Sequence, residues 1–282
     1  GWVDPDRIAR DVFRGRLGSA DERFPGAAVL SRVFPPDRFV SWIPGAVRRA
    51  RPLVEPSTLV FSTGARSAHL AARRLGVNPR IVDLNDPWVN NPHMPVGRLG
   101  GQIHHRLERH ALEGAAAITT VTPPLTEAIG DRYGHDRVHT LLSGFEPADW
   151  RDVTPTAWET PTVLYAGTVY DGFDLAPLYD AITDGARSGT LRPDGLRLRF
   201  VGRLNERVAT EAHERGIEAF FDVLPSVSRS EILSQVGGAS ALLLPLYDDD
   251  PYALPMKFFE YLGSHRPIVA LGPSDRYAGK LL

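Results

Sequence analysis

Apolar and polar positions alternate in blocks along most of the chain. Short apolar runs fall at 59–61, 81–82, 117–121 and 138–142, and a second set follows at 163–166, 196–201, 241–246 and 267–271. Between them lie amphipathic stretches of helical length, at 67–75, 98–114, 175–186, 205–215 and 228–236. Buried strands alternating with helices are the pattern of βαβ units and a parallel sheet, so the predicted fold class is α/β. The two sets are parted by residues 143–162, where three prolines and a glycine interrupt any periodicity, as in a linker or hinge. The pattern therefore predicts two Rossmann-like domains, residues 1–148 and 149–282. Residues 1–50 are less regular, punctuated by Phe34-Pro35-Pro36-Asp37 and Trp42-Ile43-Pro44-Gly45.

Composition narrows the function classes. With 282 residues, 43% hydrophobic and 23% charged, the chain has ample apolar material for a globular core. A formal net charge of -2 gives no global reason to expect nucleic acid as partner. There is no cysteine, which excludes disulfides and thiolate zinc sites. No apolar run approaches the roughly 18 residues of a membrane span, and no secretory signal is visible, so a cytoplasmic protein is the default expectation. Gly1 stands in place of a methionine, and Leu282 follows soon after a strand-like run. A piece of a longer polypeptide, lacking material at both ends, is expected.

The chemistry concentrates near the C-terminus. Ala241 to Leu246 reads as a buried strand, followed by the loop Tyr247-Asp248-Asp249-Asp250-Pro251-Tyr252-Ala253-Leu254 and then Pro255-Met256-Lys257-Phe258-Phe259-Glu260-Tyr261-Leu262. Proline is tolerated where a helix begins, and ligands of parallel sheets bind beyond the carboxyl ends of the strands. A helix starting there presents free N–H groups and a positive dipole end to a phosphate. Lys257 adds a point charge, and Glu260, three residues on, suits the paired hydroxyls of a ribose. The same residues also read as a surface Lys–Glu pair on an amphipathic helix whose core face is Phe258, Tyr261 and Leu262.

That segment, continued through Gly263-Ser264-His265-Arg266-Pro267-Ile268-Val269, resembles the nucleotide-binding signature of GT-B glycosyltransferases, specifically the retaining family 4 type. Val163-Leu164-Tyr165-Ala166-Gly167-Thr168-Val169-Tyr170-Asp171 is similar to the first strand and glycine loop of the family's donor domain, and Phe200-Val201-Gly202-Arg203 to its second strand. Val82-Asp83-Leu84-Asn85-Asp86-Pro87-Trp88, Arg106-Leu107-Glu108-Arg109 and Ser143-Gly144-Phe145 continue the resemblance, which covers roughly residues 38–282. It implies two facing Rossmann-like domains with a cleft between them. It further implies a retaining hexosyl transfer from a nucleoside diphosphate sugar to an acceptor hydroxyl, in cell-surface glycan, glycolipid or natural-product biosynthesis. The donor-binding residues would be Gly167, Thr168, Arg203, Asp250, Tyr252, Leu254, Met256, Lys257 and Glu260. Asp86 and Asn85 would form the acceptor-side wall near the chemistry. No cofactor or metal is implied, and peripheral contact with the inner face of a membrane is compatible with lipid-linked acceptors.

Departures from the family pattern shape these expectations. Thr168 to Gly172 lacks the Arg and Lys that relatives place after the first strand, so Lys257, Arg203 and backbone amides would take the diphosphate. Tyr252 stands where many relatives have a glutamate that touches the donor sugar, and Asn85-Asp86 where many have His-Asp. Asn85 can hydrogen-bond a hydroxyl but cannot act as a base. His104, His105 and His110 lack metal-ligand spacing. Asp248-Asp249-Asp250 reads as a solvated turn rather than a cation site, although by the resemblance it or the loop backbone would read the sugar in place of that glutamate. Arg48-Arg49-Ala50-Arg51 could touch anionic lipid, but reads rather as plain basic surface, since nearby prolines and glycines spoil an amphipathic helix. Trp88 reads equally as a cleft wall or a core residue. Two other classes stay open. A nicotinamide oxidoreductase would need a Gly-x-Gly-x-x-Gly that neither Ala166-Gly167-Thr168 nor Val201-Gly202-Arg203 supplies. A non-catalytic GT-B partner protein is compatible with the missing cations and with Tyr252.

Overall fold

A computed structural model describes residues 35–37, 39–93, 97–170, 172–203 and 206–282. The eight expected strands appear, with β7 in addition: β1 (Val60–Ser62), β2 (Arg80–Leu84), β3 (Ala117–Thr120), β4 (Val138–Thr140), β5 (Thr162–Ala166), β6 (Arg197–Val201), β7 (Phe221–Leu224), β8 (Ala241–Pro245) and β9 (Ile268–Leu271). The helices are α1 (Ile43–Ala50), α2 (Arg66–Leu75), α3 (Arg98–Leu112), α4 (Pro123–Tyr133), α5 (Ala176–Ser188), α6 (Glu206–Glu214), α7 (Arg229–Gly238), α8 (Met256–Gly263) and α9 (Tyr277–Leu281). One sheet has the order β1-β2-β3-β4 and the other β7-β6-β5-β8-β9. The pairings of β1 with β2 and throughout the second sheet are parallel. The class is α/β, as the alternating pattern predicts. By contact density the chain divides into two compact units, residues 1–118 and 119–282.

In the first unit α1, α2 and α3 supply Ile43, Leu70, Ala71 and Ala111 to one apolar cluster with Trp88 and Val89. Trp88 is thus a core residue, and its indole N–H donates to His104 Nδ1 at 3.2 Å. Arg80 is almost fully buried at the start of β2. Its guanidinium donates to the carbonyls of Ala111 and Glu113 at 2.5 and 2.8 Å, satisfying acceptors that the end of α3 leaves without intrahelical partners. Against expectation, residues 43–50 do form a helix. Pro44 sits in its first turn, where the missing N–H is no loss, so the proline that reads as punctuation is compatible with the helix.

The second unit holds its core on both faces of the five-stranded sheet. Because side chains alternate along a strand, Tyr165 of β5 faces one way and Leu164 the other. Tyr165 joins Phe200, Phe221, Tyr179 and Leu243 under α5 and α6. Leu164 joins Val201, Leu242, Leu244 and Val236, covered by Phe258, Phe259 and Tyr261 of α8. Each such side chain contributes about 1.5–3 kcal/mol on leaving water. α8 is held in place by its aromatic face.

Candidate functional site

The chain runs from β5 outward through β6 to β7, then returns to place β8 on the other side of β5. That reversal is the topological switch point, where a crevice opens beyond the carboxyl ends of the strands. Gly167 follows β5, Gly202 follows β6, and α8 follows β8, so all three border this crevice. Gly167 and Gly202 have φ of 153° and 156°, values that L side chains rarely adopt. Their backbones also cross closely: a Cβ on Gly202 would lie 2.0 Å from the Gly167 carbonyl oxygen. A Cβ on Gly167 would lie 2.1 Å from Lys257 Cε, so the lysine stem occupies the space that the glycine leaves open.

The crevice encloses about 290 Å³ and is lined by Gly167, Thr168, Gly202, Arg203, Arg229, Lys257 and Glu260, with Val201, Val227 and Ile232 among its apolar wall. Lys257 is half-buried with Nζ 5.9 Å from the centre of the Tyr165 ring. Burial pushes its pKa below the ordinary lysine value, opposed by Glu260 and reinforced by Arg229. A partly desolvated cation is suited to an anionic ligand that replaces its lost hydration. The Tyr261 hydroxyl accepts the Ala166 N–H at 3.1 Å, tying α8 to the end of β5.

Arg229, which sequence reasoning passes over, occupies the same crevice. It is the first residue of α7, whose N-cap Ser228 accepts the Glu231 N–H at 3.3 Å. Its guanidinium donates to Glu260 Oε1 at 2.5 Å and to Asp149 Oδ2 at 2.7 Å. Both carboxylates raise its pKa, Asp149 first. The crevice therefore presents three cations and one carboxylate, a set that fits a diphosphate next to a diol.

Of the nine residues expected on the donor side, five line this crevice: Gly167, Thr168, Arg203, Lys257 and Glu260. Asp250, Tyr252, Leu254 and Met256 do not line it. Asp250 is buried, and its Oδ1 accepts the N–H groups of Tyr252 and Ala253 at 2.9 and 3.1 Å, which shapes the loop before α8. It is thus a turn-forming residue, unlike the exposed Asp248 and Asp249. The Tyr252 carbonyl accepts the Thr122 hydroxyl at 2.9 Å. Leu254 packs against the core beneath α8, and Met256 is largely exposed.

In the first unit, Asn85 and Asp86 follow the carboxyl end of β2 and are both exposed. Asp86 lies close enough to raise the pKa of Arg66, although burial has the larger, opposite effect on that arginine. Nearby, a cavity of about 280 Å³ is lined by Arg66, Trp88, Asn90, Asn91, Arg98, His104 and His105. His104 is buried on the Trp88 indole and His105 and His110 are exposed. Among the described residues no cluster of three or more His, Asp or Glu is arranged to hold a metal ion. No helix among them is long and apolar enough to cross a membrane.

No protein-family model matches the sequence, and no curated protein matches it in a sequence search. Solved structures do match the fold. An α,α-trehalose 6-phosphate synthase from Burkholderia multivorans aligns over 91% of this chain and 65% of its own, at a TM-score of 0.62 and 14% identity. A sucrose-phosphate synthase from Thermosynechococcus elongatus aligns over 86% of this chain and 64% of its own, at 0.61 and 14%. The lipopolysaccharide outer core galactosyltransferase WaaB aligns over 83% and 63%, at 0.51 and 15%. These are GT-B glycosyltransferases, and this chain shares their fold. It spans about two thirds of the length of the structures it matches.

Proposed function

We propose that the chain belongs to a retaining glycosyltransferase of the family 4 type, which moves a hexose from a nucleoside diphosphate sugar to an acceptor hydroxyl. The observation that carries this reading is the crevice at the switch point, which Lys257, Arg203, Arg229 and Glu260 line together beside the Gly167–Gly202 crossing. In the proposal residues 149–282 form the donor domain and residues 1–148 the acceptor side. Lys257, the first-turn amides of α8 and the Thr168 amide take the diphosphate, Gly167 lets the loop approach it closely, and Glu260 takes the ribose. Negative charge grows on the leaving phosphate as the glycosidic bond breaks, so preorganised donors aimed there are the main catalytic device. The departing phosphate accepts the acceptor's proton, and Asn85 and Asp86 orient the acceptor. No metal is required, so transfer persists in a chelator. A thermal-shift series with UDP-, GDP- and dTDP-sugars tests the core of the reading, because a ligand at 100 times its Kd adds about 2.7 kcal/mol. No shift with any nucleotide sugar overturns it.

The product belongs, in this proposal, to cell-surface glycan, glycolipid or natural-product assembly on the cytoplasmic side of a membrane. Arg48, Arg51 and Arg74 line a groove with Val47, and Trp42 and Leu53 are exposed nearby along the chain. None of these arginines forms an ion pair among the described residues, which supports peripheral contact with anionic lipid. Co-sedimentation with anionic but not zwitterionic vesicles is the expected result. The absence of a cation at Thr168 to Asp171 favours a second reading, a non-catalytic partner that binds a nucleotide sugar. Donor binding with no hydrolysis or transfer by the full-length protein selects it.

A further inference from the structure

We infer that Arg229 is a positioning residue for the ribose-binding carboxylate, fixing Glu260 against Asp149 and so setting how well the crevice tells a ribonucleotide from a 2′-deoxyribonucleotide. The inference rests on the reading of the crevice as a nucleoside diphosphate site.

The guanidinium is a planar fork, and here its two ends go to carboxylates from different parts of the chain. Nη1 reaches Glu260 on α8 and Nη2 reaches Asp149, in the single turn Pro147–Trp150. Both ends of the clamp are themselves anchored. The Glu146 side chain accepts the Ala148 N–H at 3.1 Å and fixes the start of the Asp149 turn. Trp150, at its end, packs so tightly on α8 that a Cβ at Gly263 would lie 2.4 Å from its Nε1. Arg229 starts a capped helix, so its backbone is fixed as well.

Arg229 takes only one Glu260 oxygen, Oε1. A carboxylate accepts about four hydrogen bonds, so it retains acceptor positions for two vicinal hydroxyls. A half-exposed glutamate without this clamp would have to be ordered by the ligand itself, and that ordering lowers affinity for the hydroxyls it serves. Asp149 lies in the stretch that the sequence marks as a hinge, so the same fork ties this stretch to the nucleotide helix.

The test is calorimetric titration of the intact chain with the nucleoside diphosphate it binds best and with the 2′-deoxy counterpart. Arg229→Met is expected to lower the ribo-over-deoxy affinity ratio about fivefold, a modest effect because the ion pairs are half exposed. Asp149→Asn, which leaves Arg229 in place, is expected to lower the ratio in the same direction while affinity for the deoxynucleotide stays constant. In a Glu260→Gln background the Arg229→Met effect on the ratio is expected to vanish. If Arg229→Met weakens both nucleotides equally, the arginine contacts phosphate directly and the inference is wrong. An unchanged ratio in Asp149→Asn overturns it too, even if Arg229→Met does not fold. A wild-type chain that binds no nucleoside diphosphate overturns the donor-site reading instead, and the inference with it.

Discussion

Replacing Lys257 with methionine removes one cation from the crevice while keeping most of the stem that lies across Gly167. The two consequences have opposite signs. Burial holds the lysine pKa below 10.5 in the folded chain, with Arg229 acting in the same direction and Glu260 against it. Between the folded value and 10.5 the unfolded chain binds more protons, so stability rises with pH across that window. Near neutral pH the penalty for the buried charge is fully present. Methionine relieves it, so the variant is expected to melt no lower than the wild type and to lose the alkaline rise in stability. Ligand binding moves the other way. A charge-assisted hydrogen bond to phosphate contributes about 1.5–3 kcal/mol, so nucleoside diphosphate affinity is expected to fall at least about tenfold. Calorimetric titration with a nucleoside diphosphate and with the bare nucleoside, beside thermal melts of the free protein, reads both effects. The reasoning is refuted if nucleoside and nucleoside diphosphate weaken alike, or if the variant is clearly less stable.

Other expectations concern the scaffold. Gly202→Ala drives a Cβ into the Gly167 carbonyl at an unfavourable φ, and is expected to cost at least about 2 kcal/mol in urea unfolding as well as nucleotide binding. His69 is buried on Ser62 Oγ, and burial, against opposition from Asp83, lowers its pKa from 6.5 to about 4. The folded chain therefore keeps it neutral where the unfolded chain protonates it. Stability is expected to fall by about 3 kcal/mol as pH drops from 6.5 towards 4, and His69→Gln should flatten that limb. Arg80→Met leaves the Ala111 and Glu113 carbonyls without their buried donor, and denaturation is expected to show a loss of about 2–4 kcal/mol.

The strands and helices that frame the crevice were legible because their apolar runs are uninterrupted. Val163 to Ala166, Ala241 to Leu246 and the aromatic face of α8 carry the pattern of fully buried elements. β7 was not legible. It is four residues long and contains Asp222, whose charge is compensated by Arg197 and Arg199 on the neighbouring strand. Periodicity along one segment does not register a partner on another. Arg229 escaped for the same reason, being 31 residues from Glu260. A local signal did exist, since Ser228-Arg229-Ser230-Glu231 has the spacing of a capping box, which puts an arginine in the first turn of a helix. Asp250 illustrates the reverse case. Three successive aspartates read as a solvated turn, or by the resemblance as a contact to the donor, yet Asp250 turns inward to bind the loop's own amides.

The hydrogen bond from the Ala166 amide to the Tyr261 hydroxyl has a mechanical meaning. Ala166 ends the strand that leads into Gly167, and Tyr261 lies one turn beyond Lys257. The glycine loop and the lysine helix are therefore riveted together as a single jaw. Swinging α8 away would also drag the glycine loop, leaving the distance between them unchanged. The opposite wall, residues 225–229, is tied to this jaw by different means, the packing of Val227 on the apolar cluster beneath α8 and the fork of Arg229 to Glu260.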